Sequence, residues 1–306
     1  ACTVEPSTTA GVSGRAYDHP DACYDREYLY LLSEIDIDIH QAAEAQITGS
    51  DPIVLPAGAY QSEYWLMNGR AGPDSMAADG TEILPYQPYG SLTRMHPGER
   101  VLVRVVGAGR EMHRFHTHGN HVRLLARDGR MLVTAGGALA GPELFTIPSL
   151  PGGTADAIFQ WTGEELGWDI YEANSSVTVD DGSGTGNTIT RPHECLDNDG
   201  DGFADANSDY PWEWCADHNE PIPVNLPSLS SLAFGGFYSG SPYLGAMGSL
   251  PPGEGGLNPF GGFAYMWHSH TERELVNNDV FPGGMMTMLI VEAPWAPICP
   301  GDEQCN

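Results

Sequence analysis

The chain has 306 residues, of which 41 are acidic and 13 basic, for a formal net charge of −28. Every basic side chain is arginine, so little can neutralise phosphates; nucleic-acid binding is excluded and an anionic membrane surface disfavoured. No run of about eighteen apolar residues is present to form a transmembrane helix.

With 38 glycines and 24 prolines, the composition favours many short strands and turns over helices, hence an all-β fold. Residues 1–24 are irregular and polar. The chain opens at Ala1, without an initiator methionine or a signal segment, which reads as a mature or processed product. Tyr28 to His40 carries a strand signal, because Ile35, Ile37 and Ile39 alternate with Asp36, Asp38 and His40. Leu66 to Arg70 predicts a strand running into a turn. Val101 to Val106 is a β-branched run and predicts a buried strand.

The first histidine cluster follows, His113-Arg114-Phe115-His116-Thr117-His118. In a strand, residues two apart share a face, so a His-x-His pair presents two imidazoles side by side. Val122 to Ala126 and Thr154 to Trp161 predict further strands, the second alternating. Asn174-Ser175-Ser176 matches the N-glycosylation acceptor pattern. Residues 181 to about 260 lose periodicity and are rich in Gly, Ser, Pro, Asp and Asn. Such length without regular structure predicts an insertion that something ties down.

One candidate tie is Asp197-Asn198-Asp199-Gly200-Asp201-Gly202-Phe203-Ala204-Asp205. Carboxylates at positions 1, 3, 5 and 9, glycine at 6 and the Phe203 carbonyl at 7 match the first part of a calcium loop. Ser208 stands where glutamate is usual, and Asp209 is the candidate substitute. No flanking helix pair is evident, and the segment resembles the calcium loops of thrombospondin type 3 repeats. The alternative is a solvated acidic turn. The second histidine cluster is Trp267-His268-Ser269-His270, and Met285 to Glu292 closes the strand series. Four imidazoles from neighbouring strands suit copper, the strongest competitor for nitrogen ligands among divalent first-row metals. The alternative is histidines bonded within a β core.

The six cysteines form no CxxC. Their local pairing, Cys2–Cys23, Cys195–Cys215 and Cys299–Cys305, is one of fifteen connectivities, and disulfides place the protein outside a reducing cytosol. Scattered His19, His40, His96, His193 and His218 default to surface or capping roles, and His121 to a strand position without a metal. Glu272 and Glu274 are candidates for orienting histidines or for plain exposure. The seven tryptophans read as packing residues.

His113 to Asn120 resembles the HxxHxHGx signature of multicopper oxidases. Tyr265 to His270, with Gly283-Gly284-Met285 and Leu289 to Glu292, resembles the same family's C-terminal segment, and Leu66 to Asp74 its strand-turn before the last cupredoxin domain. The resemblance implies a cupredoxin-like Greek-key β-sandwich. It places His116, His118, His268 and His270 at ligand positions of a copper cluster, and His113 at a ligand position of the blue copper. Two positions depart from the pattern: Ser269 stands where the cysteine ligand of the blue copper falls, and Glu274 where its second histidine falls. Met285 matches the axial methionine at longer spacing. A hydroxyl is not a thiolate, so the resemblance implies no blue copper here.

The resulting expectation divides the chain into an N-terminal segment 1–24, a cupredoxin-like first part 25–180, an insertion 181–261 and closing strands with the tail 262–306. Residues 1–24 read as the tail of a missing domain or as a linker. The expected protein is exported, binds Cu and Ca²⁺, and oxidises substrates if active. The rival is a non-catalytic extracellular structural or assembly subunit. A homo-oligomer or a partner chain would supply a second cupredoxin domain.

Overall fold

The computed structural model describes residues 14–49, 60–171, 175–221, 240–241, 263–292, 294 and 297–298. In chain order these form β1 (Gly14–Arg15), β2 (Cys23–Tyr24), β3 (Arg26–Ile35), α1 (Ile37–Thr48), β4 (Tyr64–Met67), β5 (Thr93–Met95) and β6 (Arg100–Gly107). There follow β7 (His113–Thr117), β8 (Val122–Arg127), β9 (Arg130–Met131), β10 (Glu143–Leu144), β11 (Thr146–Ser149) and β12 (Thr154–Gln160). The remainder are β13 (Ser176–Asp180), β14 (Thr188–Pro192), β15 (Gly240–Ser241), β16 (Phe263–Ser269) and β17 (Met286–Val291).

Two sheets carry the body. One runs β10-β8-β12-β6-β3-β4 with β9 on β8; the other runs β11-β7-β16-β17-β5 with β15 on β16. Most pairs are antiparallel, but β3 lies parallel to β6 and β17 parallel to β5. Parallel neighbours cannot be joined by a tight hairpin, so the chain must cross between layers. Aromatic side chains from both sheets meet in the core: Tyr30 packs on Phe115 with ring centroids 4.7 Å apart, and Phe159 on Trp267 at 5.0 Å. Trp65, Trp161 and Trp267 are buried there as packing residues. The body is a β-sandwich of two large sheets.

β12 departs from the expected alternation. Its residues Ala155 to Phe159 are all buried, because a small second core covers the outer face of its sheet. Ala22, Leu102, Leu125, Ala126 and Ile158 form that core, with Tyr17 and Tyr24 of the N-terminal hairpin packed on it.

The strand expected to run to His40 stops at Ile35, and residues 37–48 are helical. Asp36 is the cause. Its Oδ1 accepts the Ile39 N–H at 3.0 Å, the N-cap bond that starts a helix, and its Oδ2 accepts the Gln61 N–H at 2.7 Å. The following Gln41 to Gln46 segment is rich in helix formers, and α1 buries no residue. The alternating isoleucines therefore straddle a change of structure. The turn after β4 is as expected: Asn68 and Gly69 take positive φ (55° and 77°), and the Asn68 side chain bonds the Leu31 N–H and the Leu29 and Gly90 carbonyls.

β13 and β14 pair with each other outside both large sheets. The hairpin straddles residue 180 and opens an excursion through residue 221. A Cys195–Cys215 disulfide closes it, as the local pairing anticipated. Cys23 is also disulfide-bonded. Cys2, Cys299, Cys305 and the sequon residue Asn174 lie outside the described residues.

Candidate metal centre

Strand pleating sorts the histidines before any chemistry is considered. Along β7, His113, Phe115 and Thr117 are buried while Arg114 and His116 face the other side. Along β16, Phe263, Tyr265, Trp267 and Ser269 point into the core, and His268 belongs to the opposite face. The two strands pair with His268 directly opposite His116, so both His-x-His pairs fall on one patch.

All four rings meet there. His116 lies edge-on to His118, His268 and His270, with centroids at 5.0, 5.5 and 4.7 Å, and His268 stacks on His270 at 5.7 Å. Ligand nitrogens of His116, His118 and His268 come within 4.8 Å of one another. Neighbouring groups orient the rings. His268 Nδ1 donates to the Ser269 carbonyl at 2.7 Å, which turns its Nε2 lone pair toward His118 Nε2 at 3.3 Å. His116 Nδ1 bonds Thr146 Oγ1 at 2.8 Å. Burial, reinforced by neighbouring imidazoles, pushes both His116 and His268 down to about 4. Both are therefore neutral at pH 7, the form that ligates a metal. His268 is buried and His270 exposed, so the patch opens on one side.

His113 belongs to the other face of β7, away from the four-imidazole patch, and its ring lies between two carboxylates. Its Nδ1 lies 3.0 Å from Glu274 Oε2 and its Nε2 2.9 Å from Glu34 Oε2, so both nitrogens are committed to carboxylates. Ser269 Oγ donates to the same Glu274 oxygen. Burial opposes charge on His113, but the two carboxylates outweigh it and lift the imidazole up to about 9. Glu34 is also held low by backbone N–H groups of Arg110 and Glu111, which with His113 outweigh its burial. The raised imidazole keeps its proton between the two carboxylates. Glu274 does orient a histidine, but it is His113 and not a member of the cluster. Met285 is buried and its backbone bridges Ser269 N and Glu274 O.

The acidic loop gathers Asp197, Asp199 and Asp201, whose carboxylates lie within 4.8 Å of one another in exposed positions. Their oxygens accept loop N–H groups: Asp197 from Gly200 at 2.7 Å and Asp201 from Phe203 at 2.8 Å. Asp205 accepts the Asn198 N–H at 2.9 Å, and the Phe203 ring packs on Trp214. Asp209 is not with them. Both its oxygens bind the Arg191 guanidinium, at 2.6 and 3.1 Å, and one also accepts the Glu194 N–H.

A second cluster escaped sequence reasoning. Asp169, His193, Glu213 and His218 bring ligand atoms within 4.8 Å of one another. His193 is buried, not at the surface, and Asp169 and Glu213 offset that burial and raise it to about 10. Ligands spread over fifty residues show no spacing motif; the only available signal was histidine and carboxylate flanking the Cys195–Cys215 pair. His96 too is buried, beside Glu99 and Arg26, while His19 caps a turn through Asp21 N.

No protein family and no curated protein matches this sequence. Among solved structures, the chain is similar to a blue copper oxidase from Nitrosomonas europaea (14% identity, TM-score 0.38, 86% of this chain and 43% of that one). It is also similar to the multicopper oxidase mgLAC (13%, 0.37, 90% and 45%) and to Fet3p, a multicopper oxidase that functions in iron import (9%, 0.34, 95% and 31%). The chain thus spans less than half the length of each of these structures.

Proposed function

We propose that this chain is an exported, multicopper-oxidase-like cupredoxin domain that binds copper through His116, His118, His268 and His270, and that it lacks a blue copper. The observation carrying this reading is the cross-strand register that brings four imidazoles onto one face, two of them held neutral. The donor set fits copper: imidazole nitrogens, with the far nitrogens of His116 and His268 tied to Thr146 and Ser269 so that the near ones converge. Bound copper supplies one-electron redox chemistry. The residues themselves hold and orient the ligands. The open side at His270 leaves room for donors from a second copy or a partner domain. Metal analysis of copper-loaded, gel-filtered protein tests this. A His118→Ala/His270→Ala variant should lose most of the copper; equal copper in both proteins refutes the assignment.

The proton-holding pocket around His113 favours a second reading, a non-catalytic extracellular assembly subunit. With Ser269 in place of a thiolate, nothing in that pocket passes electrons to the cluster. Oxygen consumption by copper-loaded protein with one-electron donors separates the two readings, and its absence selects the subunit. Within either reading, Asp197, Asp199, Asp201, Asp205 and the Phe203 carbonyl form a calcium loop without Asp209. Calcium titration followed by Trp214 emission tests that assignment.

A further inference from the structure

We propose that Asp169, His193, Glu213 and His218 form a second, closed site for one Zn²⁺ ion, which clamps the excursion 175–221 onto the sandwich. The ligands come from three places in the chain. Asp169 lies in the segment after β12, His193 follows β14, and Glu213 and His218 flank the short turn Cys215–Asp217. His193 Nε2 lies 3.4 Å from Asp169 Oδ2 and 3.2 Å from Glu213 Oε1, and His218 Nδ1 lies 2.7 Å from Glu213 Oε1. A tetrahedral zinc with ligands at roughly 2.0–2.1 Å has ligand–ligand edges of about 3.3 Å, close to the first two separations.

Two carboxylates converge here out of water, and the positive charge that stabilises them comes from either a protonated imidazole or a bound metal ion. Asp169 and His193 are 0% exposed at their side chains and Glu213 is 2% exposed. Among the described residues, the ion pairs of these two carboxylates are with His193 and His218, and no arginine enters. Glu213 Oε2 is buried with no hydrogen-bond partner among those residues. A buried carboxylate oxygen left bare is costly, and a missing ion is one of the few explanations for it.

The surrounding bonds point the donors inward. His193 Nδ1 sits 3.2 Å from the Ser175 carbonyl and 2.6 Å from its hydroxyl, so a proton on Nδ1 leaves the Nε2 lone pair facing two carboxylates. Asp169 is fixed by the N–H groups of Tyr171 (2.8 Å) and Asn219 (2.9 Å). The Asn219 amide lies 2.8 Å from His218 Nε2, and rotated by half a turn it accepts a proton there and frees Nδ1 for the metal. Two imidazoles with two carboxylates suit zinc; calcium prefers an all-oxygen shell. The competing explanation is a cluster held by protons alone.

The test uses the full chain carrying His118→Ala and His270→Ala, so that the imidazole patch takes no part. After chelation and gel filtration, Zn²⁺ is added, the excess removed and bound metal counted. The expected result is one equivalent of zinc, a Co²⁺ derivative with visible bands of a four-coordinate centre, and slower amide exchange in residues 193–218. Glu213→Gln, and separately the partly exposed His218→Ala, should lower zinc affinity at least tenfold. Asp199→Asn in the acidic loop should leave it unchanged. Less than about a tenth of an equivalent of zinc in the parent chain, or zinc that both variants retain with unchanged affinity, overturns the site. Because counting and exchange are read on the parent chain, a variant that fails to fold does not shield the proposal.

Discussion

Replacing both His113 and Glu274 by glutamine should remove about 2–3 kcal/mol of the stability that the protein loses between pH 6 and 9.5. In the native pocket His113 is fully buried between Glu34 and Glu274 and is lifted from 6.5 to about 9. A group whose folded value is raised contributes stability that is complete below its unfolded value and is lost as pH rises through the folded one. At 1.36 kcal/mol per unit, the contribution is about 3 kcal/mol below pH 6 and falls below about 1 kcal/mol by pH 9. In the double variant, the amide introduced at position 113 donates to Glu34. The amide introduced at position 274 accepts from Ser269 while donating to its new neighbour at 113. Glu34 keeps its backbone N–H donors, so the pocket stays satisfied and titrates little. Urea unfolding followed by tryptophan emission, with chelator present, gives stability at half-unit steps from pH 6 to 9.5. His193, also raised, contributes equally to both proteins and cancels. The parent should lose about 2–3 kcal/mol more than the variant across that range. Parallel curves would refute the assignment of a stored proton to His113.

Three further outcomes follow from the geometry. Glu99 is held down to about 2, because bonds from His96 and Arg26 outweigh its burial, so its stabilisation is present above about pH 4.5 and lost as pH falls toward 2; Glu99→Gln should shrink the acid-unfolding slope over that window, as read by circular dichroism. Cys195→Ser/Cys215→Ser opens a loop with a sequence separation of 20 and should cost about 3 kcal/mol in the unit it closes, visible as faster proteolysis between residues 193 and 218. Phe115→Ala removes a ring packed on Tyr30 and Trp267 at 4.7 and 6.0 Å and should cost about 3–5 kcal/mol in urea unfolding.

Much of the sandwich is legible in the sequence because its strands obey a period of two or are apolar runs. Val101 to Val106 lies centrally in its sheet, and the His-x-His spacing translates directly into a shared face. Where a single side chain redirects the backbone, periodicity misleads: Asp36 caps a helix in the middle of an isoleucine alternation. β12 misleads for another reason, since the hairpin covering its outer face comes from residues over a hundred positions away. The fate of His113 was hidden because Glu34, its second partner, is 79 residues upstream on β3. His193 and His218 read as scattered, since burial by a folded excursion leaves no local mark. Asp209 fitted a counting rule for calcium, but both its oxygens bind the guanidinium of Arg191, 18 residues upstream at the end of β14.

The pleat of β7 and β16 gives one strand pair two independent chemistries. Inward, the hydroxyl of Ser269, the imidazole of His113 and two carboxylates bond one another; outward, four imidazoles gather on one patch. Because neighbouring positions on a strand face opposite sides, a substitution at Ser269 alters the inner wall and leaves His268 and His270 on the outer one. Such insulation keeps a change on one wall of the strand pair from reaching the other.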